Sequence, residues 1–297
     1  MPAASGGSVG PGSEGTPPML RQRVFTALAI AVPVVALTLL APPWLFGLFI
    51  LLVVGIGARE WARLAGFASA GARTAFAATI PALLVVMMLL WWTDGWSVWH
   101  LAVLVVALIW WVFVFLGLAW YSPGLSMRPS GRLLLRAGGL LTLVPAGVAL
   151  LWLHDYAPGL VLYLIALVAA ADSGAYFVGR RFGRSKLAPE ISPGKTREGL
   201  FGALLGAILV ALVGAWLFGL SEMDALVFGL LGVVVALVSV AGDLQESVLK
   251  REAGAKDSGA LLPGHGGILD RVDSLTAAAP VFLLGLLWTA LLAPGSL

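Results

Sequence analysis

SVLKREAGAKDSGALLPGHGGILDRVD, residues 247–273, is the stretch on which the reading of this chain turns. It carries eight charged side chains and His265 within 27 residues, whereas charged residues make up 11% of the whole chain. Long apolar runs flank it at 225–242 and 275–292. A polar stretch this dense, held between two segments of membrane length, is either a connector or a site.

Composition narrows the surroundings. Hydrophobic residues form 60% of the 297 and mean hydropathy is +0.99, whereas soluble domains hold roughly 45–50% apolar and ~25% charged residues. Apolar segments recur at about 24–40, 44–58, 75–92, 98–121, 133–153, 159–179, 199–220, 225–242 and 275–293. Most approach the ~20 residues that a helix needs to cross the hydrocarbon core. The expectation is an all-α integral membrane protein: a polytopic bundle of about nine transmembrane helices with a cytoplasm-facing polar cavity. The first two segments, separated by Ala41, Pro42 and Pro43, read as a tight hairpin or as one kinked element. Residues 1–20, rich in Gly, Pro and Ser with Glu14 as their one charge, read as a disordered tail, and 21–297 as a single membrane domain. The absence of cysteine excludes disulfides, thiolate metal sites and a Cys nucleophile.

Charge sets the orientation. With nine alternating spans, all 18 Lys and Arg fall on one side, at 21–23, 59–73, 128–136, 180–197 and 250–271. The other side holds Asp94, Asp155, Glu222 and Asp224 and no base. Basic residues collect in cytoplasmic loops, so the N-terminus reads as inside and the C-terminus as outside. Ala-, Leu- and Arg-rich usage fits a GC-rich bacterial genome, and hence a bacterial inner (plasma) membrane.

Four carboxylates then stand at the cytoplasmic level: Asp172 in the sixth segment, Asp243 at the end of the eighth, and Asp270 and Asp273 opening the ninth. An i, i+3 pair shares one helix face, and an ionisable group within a membrane segment is costly enough to be a functional hypothesis by default. The bland alternative is an interfacial acid paired with a nearby Arg. Carboxylates beside many Lys and Arg suit phosphate chemistry through Mg²⁺, which takes oxygen ligands from one or two acids and from the phosphates. The run Pro263-Gly264-His265-Gly266-Gly267 suits close approach of backbone amides to an anion. The loop GRRFGRSKLAPEISPGKTREG, 179–199, places Lys195 and Arg197 in a turn just before the seventh segment. There they could grip a triphosphate or a lipid phosphate; the plainer reading is attraction to anionic lipid headgroups.

These residues resemble a known pattern. Residues 247–273 look like the signature of the phosphatidate cytidylyltransferase (CDP-diacylglycerol synthase) family, and D-S-G-A-Y-F through S-P-G-K-T-R-E-G, 172–199, is similar to its other hallmark region. The resemblance is best over 165–290. It implies transfer of CMP from CTP to phosphatidic acid, giving CDP-diacylglycerol and pyrophosphate, with Mg²⁺; the residues leave open whether a second or a monovalent cation joins it. It implies metal binding by Asp243 and Asp270, and catalytic positions at Asp243, Asp270, Asp273, Lys250 and His265. Asp172, Ser173, Lys195, Thr196, Arg197, Arg251, Lys256, Asp257, Gly266, Gly267 and Arg271 fall at substrate-binding positions. CTP, phosphatidic acid and membrane lipids are the implied partners, with no nucleic acid. A homodimer is left open, since Gly202–Ala203 and Gly206–Ala207 permit close helix packing. The rival readings are a CTP-using polyprenol kinase, which would transfer the γ-phosphoryl group, and a transporter with Asp172 and Asp243 as ion-coupling groups.

Overall fold

The computed structural model describes residues 31–261, 266–289 and 291. Its helices are α1 (Ala31–Leu40), α2 (Pro43–Leu64), α3 (Ala70–Asp94), α4 (Val98–Leu118), α5 (Pro129–Tyr156), α6 (Pro158–Phe182), α7 (Arg197–Leu217), α8 (Glu222–Glu252) and α9 (Leu269–Trp288). The eight from α2 to α9 are long and apolar enough to cross a membrane. The first expected segment begins among residues outside the described set, and the tail at 1–20 lies wholly outside it.

Local chemistry explains the boundaries. Proline, whose missing N–H costs nothing in a first helical turn, opens α2, α5 and α6. Pro42 and Pro43 therefore make α1 and α2 separate helices. Ser69, Thr196 and Ser221 cap α3, α7 and α8 by accepting the N–H groups of Ala72, Gly199 and Asp224. Gly95, at φ +69°, ends α3.

Two boundaries correct the sequence reading. α8 continues to Glu252, ten residues beyond the expected limit, so the first six residues of the 247–273 stretch are helix and not loop. The extra turns are supported by the Glu246–Lys250 pair at i, i+4 and meet no helix breaker before Gly254. Between α6 and α7 the chain folds into a small antiparallel hairpin, β1 (Lys186–Ala188) with β2 (Ser192–Thr196), where only a loop was expected.

α5 lies centrally, packed on α2, α3, α4, α6 and α9. α6 and α7 form the closest pair. A Cβ at Gly174 would run into the Gly202 carbonyl, and one at Gly206 would lie 2.5 Å from the Ala170 carbonyl oxygen. The small residues at 202–207 are thus used within the chain, against α6.

Candidate active site

α2, α6 and α8 end, and α7 and α9 begin, at the same end of the bundle, which collects the basic residues. Glycine decides how closely α8 and α9 meet there. A Cβ on Gly242 would lie 2.6 Å from the Asp273 carbonyl oxygen and 2.8 Å from the Ala277 Cβ. The two backbones touch, and Asp243 and Asp273 flank the contact. Glu246, nearly a turn further along α8, brings its carboxyl to hydrogen-bonding distance of that of Asp273. No donor among the described residues reaches the buried Glu246 Oε1. From α6, Asp172 accepts the Ser274 hydroxyl of α9 and stands in the field of Asp243 and Lys195.

Two lysines enter this acidic group. Lys195, carried by β2, places Nζ 2.7 Å from Asp243 Oδ2. Lys250 bridges Glu246 Oε2 and Asp270 Oδ1, at 2.7 Å each. The hairpin is braced on α7 and α8. Glu198 accepts the amides of Arg184 and Ser185, and Arg251 donates from Nε to the Ile191 carbonyl.

Asp270 does a different job from Asp243. Its Oδ2 accepts the Ser258 amide at 2.9 Å, the Ser258 hydroxyl at 2.8 Å and the Gly267 amide at 2.8 Å, while its Oδ1 faces Lys250. It ties both ends of the loop 258–267 to the start of α9. Beside it, Glu60 of α2 is buried and accepts the amides of Ile268 and Leu269 at 3.1 and 2.9 Å, and the Ser258 hydroxyl at 3.1 Å. Ile268 offers α9 no side-chain cap, so a carboxylate from another helix meets its free N–H groups, where negative charge is favoured. Gly267 makes room, since a Cβ there would fall 2.5–2.6 Å from both Glu60 oxygens. Arg63, one turn after Glu60, donates to the Ser258 carbonyl.

At the end of α8, Glu252 accepts the Tyr121 hydroxyl at 2.7 Å and the amides of Gly124 and Ser126, fixing the α4–α5 connection. Burial, and then the Glu252 carboxylate, pushes the Tyr121 phenol well above its ordinary pKa, so it stays a donor.

The structure therefore brings together Asp172, Asp243, Asp273, Lys195 and Lys250, with Asp270 joined through Lys250. Ser173 is exposed beside Asp172. Thr196 is occupied as the cap of α7 and Arg197 is exposed on its first turn. Gly267 gives its N–H to Asp270, so that amide meets a carboxylate of the chain itself. Gly266 takes φ +79° next to it. Lys256 and Asp257 are exposed on the loop and Arg271 on the first turn of α9. His265 lies outside the described residues. Sequence reasoning missed Glu60, Glu246, Ser258 and Arg63. Glu246 carried a signal, since it is four residues before Lys250 and three after Asp243 on one helical face.

Among the described residues, no three acidic or histidine side chains already stand as a metal cage. The donors nonetheless suit a hard cation, because all are carboxylates and Mg²⁺ needs only one or two of them beside water and phosphate oxygens. The Glu246–Asp273 contact brings two carboxyls to hydrogen-bonding distance, where a shared proton or a nearby cation offsets their repulsion.

Known proteins match this arrangement in sequence. A sequence model of the "Cytidylyltransferase family" covers residues 21–288. The chain belongs to this family. It is an enzyme. A Pseudomonas aeruginosa protein named phosphatidate cytidylyltransferase is 44% identical over 275 residues, covering 92% of this chain and 98% of the relative. One of the same name from Haemophilus influenzae is 38% identical over 284 residues, covering 89% and 97%. A Synechocystis protein of that name is 45% identical over 134 residues, 44% of this chain and 45% of the relative.

Proposed function

We propose that this enzyme transfers CMP from CTP to phosphatidic acid. An oxygen of the lipid phosphate attacks the α-phosphorus of CTP, the bond to the β-phosphate oxygen breaks, and CDP-diacylglycerol and pyrophosphate leave. The observation that carries the reading is the convergence of Asp172, Asp243 and Asp273 with Lys195 and Lys250 at the basic end of an apolar bundle. The names of the full-length relatives support the same substrates.

The attacking phosphate is already an anion, so no strong general base is needed. The barrier lies in bringing two polyanions together and in stabilising charge at the α-phosphorus. Asp243 and Asp270 are the proposed Mg²⁺ ligands, with Asp172, Asp273 and Glu246 lining the site. When bound, the ion neutralises phosphate charge and supports the leaving oxygen. Lys195 and Lys250, which neutralise carboxylates in this structure, would redirect their N–H hydrogen bonds to phosphate oxygens as substrate arrives. Asp270 in addition holds the 258–267 loop, which keeps Lys250 in register.

The proposed placement is the bacterial inner membrane, with the site facing the cytoplasm, the N-terminus inside and the C-terminus outside. The chain has no cysteine, so Glu190→Cys and Asp94→Cys are single labelling sites on opposite ends. An impermeant thiol reagent added to right-side-out cells should label position 94 and spare position 190.

Membranes expressing the chain, supplied with α-³²P-CTP, phosphatidic acid and Mg²⁺, should place label in a chloroform-soluble CDP-lipid. The label should vanish with EDTA and return with added Mg²⁺. No labelled lipid, together with labelling of a polyprenol by γ-³²P-CTP, would replace this reading with a kinase.

A further inference from the structure

A groove of about 1200 Å³ opens between α2 and α3, beside the loop that Asp270 anchors. Its walls are apolar, including Leu52 and Ile56 of α2 and Pro81 of α3, and its rim carries Arg59, Arg63 and Arg73. All three arginines are exposed, and none forms an ion pair among the described residues. Three cations at the rim of an apolar groove are complementary to an amphiphile with a compact, multiply charged anionic head. The volume exceeds the roughly 300–1,000 Å³ of pockets for drug-sized ligands, which leaves room for a headgroup and a length of acyl chain.

The groove is also connected to the site. Glu60 lines it and bonds Ser258, Ile268 and Leu269, and Gly259 and Leu261 form its edge. Arg63 donates to the Ser258 carbonyl, and Ser258 donates to Asp270. From the arginine rim to the acidic group there is thus one continuous chain of contacts.

We infer that the α2–α3 groove is the phosphatidic acid subsite: Arg59, Arg63 and Arg73 grip the phosphomonoester, and an acyl chain lies along Leu52, Gly55 and Ile56. The inference rests on the reaction proposed for the acidic site. It gives the α2–α3 pair a substrate-selecting purpose, because a phosphomonoester carries more charge than the phosphodiesters of bulk anionic lipids.

The test uses the purified full-length chain in detergent and a fluorescent-acyl phosphatidic acid, with no CTP present. Gly55→Leu fills the groove without a clash, since a Cβ there meets nothing within 4 Å. Arg59→Gln and Arg73→Gln remove rim charge at exposed positions. Each variant should weaken probe binding about tenfold, the scale of a lost charge-assisted contact or a blocked pocket. In turnover, each should raise KM for phosphatidic acid by a similar factor and leave KM for CTP within twofold. Unlabelled phosphatidic acid should displace the probe at least tenfold better than phosphatidylglycerol. Equal displacement by the two lipids would overturn the inference in favour of a general anionic-lipid surface. Unchanged binding in all three variants would also overturn it. A wild type that binds the probe but makes no CDP-lipid would sink the proposed reaction and leave the groove assignment standing; normal lipid KM in the variants would do the reverse.

Discussion

The two ends of this bundle are built from the same helices and solve opposite problems. At the end bearing α3's C-terminus and α5's last turn, indole and imidazole groups bond acceptors of the chain itself. Trp96 stacks on Trp152 at 4.6 Å and donates to Asp155 at 2.7 Å, while His100 and His154 bond the carbonyls of Met87 and Thr38 at 2.9 and 3.0 Å. Phe46 stacks on His154 at 3.9 Å. At the basic end, carboxylates face carboxylates and lysines bridge them, and Glu246 Oε1 is buried with no donor among the described residues. Tyr163 Oη and Trp111 Nε1 are also buried without a partner among the described residues, so it is the facing carboxylates, and not an unpaired atom by itself, that set the basic end apart.

That contrast can be broken most sharply at Asp243. Asp243→Asn keeps size and removes the charge that faces Lys195, and should lower CDP-lipid synthesis roughly 10²–10³-fold, the scale of a lost transition-state electrostatic contact. Membrane levels of the protein should match the wild type. Full activity would remove Asp243 from the metal site. Gly242→Val attacks the geometry and leaves every charge in place. It pushes α8 from α9 at the Asp273 carbonyl, and a displacement near 1 Å should cost about 10²-fold in turnover. A variant as active as the wild type would show that the backbone contact does not set the carboxylate spacing. Glu60→Gln should act on the support beneath the site. It leaves an amide where three donors meet a carboxylate, so about 1–3 kcal/mol of stability should be lost, read by thermal unfolding in detergent. Activity should fall less than in Asp243→Asn. The smallest effect belongs to the opposite end. Trp96→Phe loses the bond to Asp155 and should cost about 1 kcal/mol with turnover within twofold. A large loss of activity there would show that the two ends are coupled.

Much of the architecture was readable before any coordinates. Membrane-length apolar runs, interrupted by Pro, Gly and charge, mark α2 to α9 because a helix is the only open-chain structure that satisfies its own backbone in lipid. Asp172, Asp243, Asp270 and Asp273 stood out because acids are rare in such runs. The tail of α8 reads as loop because its polar composition mimics a boundary, and the β1–β2 hairpin sits in a basic stretch with little strand pattern.

What tertiary structure alone decided is which acids meet. Glu60 is nearly two hundred residues from Ser258 in sequence, yet it caps α9, and no local pattern announces a cap supplied by another helix. Asp270 and Asp243 look equivalent as sequence; packing gives each a lysine, and gives Asp270 a loop to hold as well. The sequence by itself determined the solvent of each segment, because transfer free energy is a property of composition. The partners of each charge were set by the crossing of α8 and α9 at Gly242, because backbone contact is a property of two helices together.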